Sequence, residues 1–113
     1  MTIKDQQEML RSAIEAIFPQ LTFRRSFADS AGNPTWEIVE RPYNGHFNSF
    51  MRCSIDGGDL RVFVRTERRT VRYVPVRWTP ARVRRVLRQA QRVLLRDFAY
   101  EADMIHKHSL RFV

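Results

Sequence analysis

Residues 47–66 read FNSFMRCSIDGGDLRVFVRT, and this stretch decides the fold. Apolar and polar residues alternate in its two halves, Phe47–Ile55 and Leu60–Thr66, as they do in half-buried strands. The segment 56–59 between them is a strong hairpin signal, because glycine readily adopts the positive φ angles of a tight two-residue turn. The predicted pairs are Ile55 with Leu60, Cys53 with Val62 and Met51 with Val64.

Residues 70–78 predict a third strand beside this hairpin. A two-residue turn at Arg68-Arg69 would set Arg65 opposite Arg72, and like charges directly opposite each other are unfavourable. We therefore expect a three-residue turn. The pairs that follow are Val64 with Arg72, Val62 with Val74, and Leu60 with Val76.

This register separates two faces of the sheet, because successive side chains point to opposite sides. The expected core face holds Met51, Cys53, Ile55, Leu60, Val62, Val64, Val74 and Val76. The expected basic and aromatic face holds Phe50, Arg52, Ser54, Arg61, Phe63, Arg65, Tyr73 and Arg77. Aromatic rings set among arginines can stack nucleic-acid bases or anchor a protein partner. Cover by a helix or by the tail is the alternative for this face.

The flanking segments predict helices at both ends of the chain. Lys4–Phe18 has apolar residues at helical spacing and stops at Pro19, while 21–27 and 35–41 predict two further strands. Thr79 and Pro80 suit the start of a last helix. The tail beyond Asp103 could extend that helix or form a short strand. The expected fold is α+β, one domain over 1–113: an N-terminal helix, an antiparallel meander of about five strands, and a long C-terminal helix packed on one face of the sheet.

The last helix carries four arginines on the side opposite its apolar residues. Arg85, Arg88, Arg92 and Arg96 lie at i, i+3, i+7 and i+11, and we call them the arginine stripe. Residues 82–96 contain no acid, so the stripe repels itself, whereas a solvated helix face normally mixes signs. The arrangement therefore favours binding of an anion over a plain solvated face.

Asp97 and Glu101 fall inside the apolar arc of the same helix. Two explanations are open: the helix bends or ends near these residues, or the acids pair with arginines at the sheet edge. At that edge Arg68 and Arg69 stand in the turn between strands, where they could contact a partner or simply blunt the edge by charge.

Charge divides the chain into unlike halves. Residues 1–60 hold six basic residues against eight acids, while 61–113 hold fourteen against four, within a net charge of +8. This asymmetry suggests an anionic partner, which could be nucleic acid, an acidic protein surface or anionic lipid. No apolar run is long enough to span a membrane or to form a signal-peptide core, and there is one cysteine, so a cytoplasmic protein without disulfides is expected.

The sequence predicts no enzyme, no cofactor and no metal site. Cys53 could be paired with His46 as nucleophile and base, but Cys53 falls on the expected core face. His106 and His108 lack the further ligands that a zinc site needs. Gly57-Gly58 has no phosphate-loop lysine and no following helix.

The leading functional expectation is a non-catalytic module that binds nucleic acid. A protein-binding inhibitor or adaptor, for example one encoded by a phage or plasmid and acting on a host defence or nucleic-acid-processing complex, is the alternative, and a phage structural component is a third. The oligomeric state stays open. The candidate residues are Arg52, Arg61, Arg65, Arg68, Arg69, Arg77, Arg85, Arg88, Arg92, Arg96, Phe50, Phe63 and Tyr73.

Overall fold

The computed structural model describes the backbone at 1–18, 23–39, 49–66 and 68–110, and the side chains at 1–18, 26–38, 49–66 and 68–97. The expected α+β fold is confirmed, with five antiparallel strands in the order β1-β2-β3-β4-β5. The elements in chain order are α1 Ile3–Ile17, β1 Phe23–Ala28, β2 Pro34–Val39, β3 Phe50–Asp56, β4 Asp59–Arg65, β5 Thr70–Val76 and α2 Pro80–Leu110.

The β3–β4 hairpin forms as predicted. Asp56 pairs with Asp59 across a two-residue turn in which Gly57 and Gly58 have φ angles of 59° and 85°. Both angles lie in the region that a side chain with a Cβ enters only at a cost. The three predicted cross-strand pairs are present, and all six of their side chains are buried.

The β4–β5 register differs from the predicted one. A four-residue loop, 66–69, joins the strands, so Val64 pairs with Val71 and Val62 with Tyr73. A bulge then restores the predicted pair of Leu60 with Val76. The buried Thr66 explains the longer loop, because its hydroxyl accepts the Arg68 and Arg69 N–H groups, while its own N–H donates to the Arg69 carbonyl.

The four-residue loop changes the side on which two predicted residues lie. Tyr73 stands opposite Val62 and is packed against the core, so its assignment to the basic and aromatic face was wrong. Val74, predicted in the core, is 81% exposed. The loop is one residue longer than the predicted turn, so the residues of β5 up to Val74 are shifted by one position and lie on the opposite face from the one predicted. The bulge that follows Val74 restores the predicted register at Val76.

The helix α1 begins at a capping box. The Thr2 hydroxyl accepts the Asp5 N–H, and the Asp5 carboxylate accepts the Thr2 N–H, so two otherwise unpaired donors are satisfied. The apolar side of α1 contributes Leu10, Ala13, Ile14 and Ile17 to the core.

The helix α2 packs on the same side of the sheet as α1. Thr79 caps it, since its hydroxyl accepts the Arg82 N–H, and the Gln91 amide reaches back to donate to the Ile17 carbonyl. Its buried apolar residues are Val83, Val86, Leu87, Ala90 and Leu94. The helix runs without interruption to Leu110, so it does not end near Asp97, and residues 103–110 extend the helix.

Candidate functional site

The buried Asp97 accounts for two of the candidate arginines. Its carboxylate is 0% exposed, accepts the Thr66 hydroxyl at 2.6 Å, and lies 3.0 Å from the Arg69 Nε and 3.8 Å from an Arg68 nitrogen. The predicted ion pairing of Asp97 is therefore confirmed. Arg68 and Arg69 hold the β4–β5 loop on α2, and they are not spare cations at a hairpin tip. The side chain of Glu101 lies outside the described residues.

The face of the sheet opposite the helices collects another set of charged and aromatic side chains. We call it the open sheet face. Its described side chains include Phe27, Glu37, Phe50, Arg52, Arg61, Phe63, Arg65 and Arg72. Both helices pack on the other side, so the alternative that a helix covers this face is wrong for the described parts of α1 and α2.

Arg52 stands at the centre of the open sheet face and is already paired. Its guanidinium lies 2.6 Å from a Glu37 oxygen and 5.3–5.8 Å from the ring centres of Phe27, Phe50 and Phe63. The Phe50 and Phe63 rings also meet edge to face, with centroids 5.7 Å apart. These contacts are favourable within the chain itself, so Arg52 and its rings form a structural cluster more than a ready platform for bases.

The remaining cations of the open sheet face are of two kinds. Arg61 lies 3.4 Å from Asp56, and both side chains are about half exposed. Arg65 and Arg72 are exposed, and no ion pair joins either of them to a carboxylate of the described residues. Arg72 faces Phe63 across the strands and takes the place that the predicted register gave to Tyr73.

The arginine stripe lies on the solvent side of α2. All four of its residues are exposed, as are their neighbours Arg82 and Arg84. Within the part of the chain that the structure describes, none of these six side chains forms an ion pair or hydrogen bond. The sequence explains this, because 70–96 contains eight arginines and no acid.

A groove beside the stripe brings further candidate residues together. It runs between the edge strand β5 and α2, with Tyr73, Val74, Pro75 and Val76 on one side and Val86 and Gln89 on the other. Arg77, Arg82 and Arg85 also line it. The structure thus joins Arg77 to the stripe, on the helix side of the sheet, and separates both from Arg52, Phe50 and Phe63.

Comparison of the chain with family models, with curated proteins and with solved structures gave no match. The function therefore has to be argued from the geometry.

Cys53 and the three histidines are the residues that the sequence offered for catalysis or metal binding. Cys53 is fully buried as predicted, and burial raises the pKa of its thiol, so it stays protonated. His46 lies outside the described residues, as do the side chains of His106 and His108. No cluster of three metal-ligating side chains occurs among the residues described. Neither described helix has a stretch apolar enough to cross a membrane.

Sequence reasoning missed three contributors to these surfaces: Glu37, Phe27 and Arg72. Glu37 alternates with Trp36 and Ile38 in β2, so a signal for its position on the opposite face was present. Its pairing with Arg52 depends on the β2–β3 register, which places these residues directly opposite each other.

Proposed function

We propose that the protein is a non-catalytic module that binds nucleic acid through the outer face of α2. The observation that carries this proposal is the arginine stripe, whose four guanidinium groups lack an ion-pair partner among the described residues. Cations held side by side on one helix face repel each other until an anion arrives. An anionic polymer relieves this repulsion at all four positions together.

Phosphate is the anion that best suits this set of side chains. Arginine presents a planar fork of N–H donors that matches phosphate oxygens, and it keeps its charge at any physiological pH. From Arg85 to Arg96 the stripe extends about 16 Å along the helix at 1.5 Å per residue, a length suited to following a backbone rather than gripping one isolated phosphate.

The open sheet face has a secondary role in this proposal. Arg65 and Arg72 add positive potential, while Arg52 and Arg61 are compensated by Glu37 and Asp56. Most of the affinity should therefore come from α2, and removal of cations from the sheet should matter less.

An experiment with matched charge removal tests this division. Fluorescence anisotropy with labelled oligonucleotides of about 20 residues would compare R88Q/R92Q with R65Q/R72Q, which lose the same charge from exposed and unpaired positions. Loss of two charge-assisted contacts should weaken R88Q/R92Q about tenfold or more, and R65Q/R72Q less than about threefold. Equal losses would contradict the assignment to α2.

An acidic protein surface would be attracted by the same cations. Poly-glutamate of matched charge serves as the competitor that separates the two cases. If it displaces the oligonucleotide at equal charge concentration, the phosphate assignment is wrong and the adaptor or inhibitor alternative is supported.

A further inference from the structure

The groove between β5 and α2 is lined by apolar residues of the edge strand together with three arginines. Val74 is 81% exposed there, and Pro75 follows it. Exposure of the Val74 side chain to water is unfavourable, because valine is apolar. Its position results from the four-residue β4–β5 loop, whose register places Tyr73 against the core and turns the next residue, Val74, outward.

Polar side chains line the same groove beside these apolar residues. Arg77, Arg82 and Arg85 line the groove, and no ion pair joins any of them to a described carboxylate. Gln89 is exposed, and its amide has no hydrogen-bond partner among the described residues. That amide can both donate and accept, as the edge of a nucleobase does.

Addition of a peptide strand is disfavoured at this edge. Pro75 has no N–H to donate, and the bulge interrupts the regular row of backbone groups that a new strand would need. A ligand therefore has to enter the groove with a flat or compact group rather than with an extended backbone.

We propose that the groove seats an unpaired base of a single-stranded nucleic acid, with the flanking phosphates on Arg77, Arg82 and Arg85. This inference rests on the proposed function and adds the class of ligand. A base offers an apolar face for Val74 and Tyr73 and a polar edge for Gln89. In a duplex the bases are stacked inside the helix, so a duplex could use the stripe but not the groove.

The Tyr73 environment fits this role. The ring is half-buried, and its hydroxyl, whose pKa burial raises, is neutral at physiological pH as an ordinary tyrosine is, so it brings no negative charge toward a phosphate.

The test compares one sequence as a single strand and as a duplex, at the same salt concentration. The intact chain should bind the single strand at least about fivefold more tightly. Val74→Ser should remove most of that preference and leave duplex binding unchanged. Ile3→Ser is the matched control, because Ile3 is also an exposed apolar residue, at 53%, but lies on α1, outside both the groove and the arginine stripe. Thermal melting checks that both variants fold.

If the chain binds the duplex as tightly as the single strand or more tightly, the inference is wrong while the proposed function still stands. The same holds if Val74→Ser weakens the binding of both oligonucleotides equally. No binding to either oligonucleotide would overturn the proposed function and the inference together. A single strand carrying 5-iodouracil provides a direct readout, since photocrosslinking should attach it to β5 at Tyr73. Crosslinks confined to the open sheet face would contradict the proposal.

Discussion

The Thr66 hydroxyl donates to the Asp97 Oδ2 across 2.6 Å and so joins the β4–β5 loop to α2, 31 residues further along the chain. The same carboxylate lies 3.0 Å from Arg69, and it is fully buried. The arginines of this protein are therefore of two kinds. Arg68 and Arg69 compensate a buried charge, whereas the arginine stripe has no such partner among the described residues.

Removal of the two arginines that compensate Asp97 should destabilise the fold. In R68Q/R69Q, Asp97 stays buried without either of its two cations, and an uncompensated buried charge costs about 3 kcal/mol or more. Urea unfolding should show this loss in the free energy of unfolding. Adding D97N should recover part of it, because the neutral amide no longer needs a cation. A loss below about 1 kcal/mol would mean that the ion pairs do not hold the loop.

Removal of arginines from the arginine stripe should leave the free energy of unfolding unchanged or raise it slightly. R88Q/R92Q deletes two exposed charges that repel their neighbours, and i, i+4 like-charge pairs cost about 0.2–0.5 kcal/mol each. The midpoint of urea unfolding should therefore stay level or increase. A clear decrease would indicate that the stripe makes stabilising contacts within the chain, which contradicts its assignment as a binding surface.

The β3–β4 turn should be sensitive to side-chain shape at Gly57. This residue has a φ of 59°, and a Cβ there would meet no neighbouring atom, so any cost comes from the backbone itself. Gly57→Val should lower the free energy of unfolding by about 1–2 kcal/mol. Gly57→Asn should cost less, because asparagine tolerates left-handed backbone. Equal costs would contradict this explanation.

Burial of Cys53 predicts a loss of stability in alkali. Burial raises the pKa of the folded thiol, whereas the unfolded thiol titrates near pH 8.5. The contribution of the buried, protonated thiol to the free energy of unfolding is fully present below about pH 8.5. Above it the unfolded chain releases a proton that the folded chain retains, so the free energy of unfolding falls as pH rises.

The expected fall between about pH 7.5 and 9.5 is about 1.4 kcal/mol for this one group. Cys53→Ala removes the titrating thiol and should show a correspondingly shallower decline in urea unfolding over the same range. Identical slopes for the two proteins would show that Cys53 is not the cause. Resistance of the folded protein to alkylation provides an independent check.

Local patterns predicted the elements of this fold well. The two glycines at 57–58 determine the β3–β4 hairpin because few other residues reach their φ angles, and helical spacing with Thr79 and Pro80 located the start of α2. The arginine stripe followed directly from helix pitch, since positions 85, 88, 92 and 96 share a face in any regular helix.

The β4–β5 register could not be predicted in the same way. It depends on Thr66, whose hydroxyl binds its own loop and a carboxylate 31 residues away, and a local pattern contains no signal for a contact at that distance. The resulting four-residue loop moved Tyr73 to the core side and exposed Val74, and the bulge then restored the predicted pair of Leu60 with Val76. The pairing of Arg52 with Glu37 was missed for a similar reason, because it requires the register of β2 on β3.

The salt dependence of binding tests the central claim most directly. Four stripe arginines on the phosphates of a duplex, which cannot use the groove, should give a slope of about −3.6 when log K is plotted against log salt concentration, and R88Q/R92Q should reduce its magnitude to about half. A flat response, or a slope that R88Q/R92Q does not change, would contradict the claim that the stripe on α2 binds a phosphate backbone.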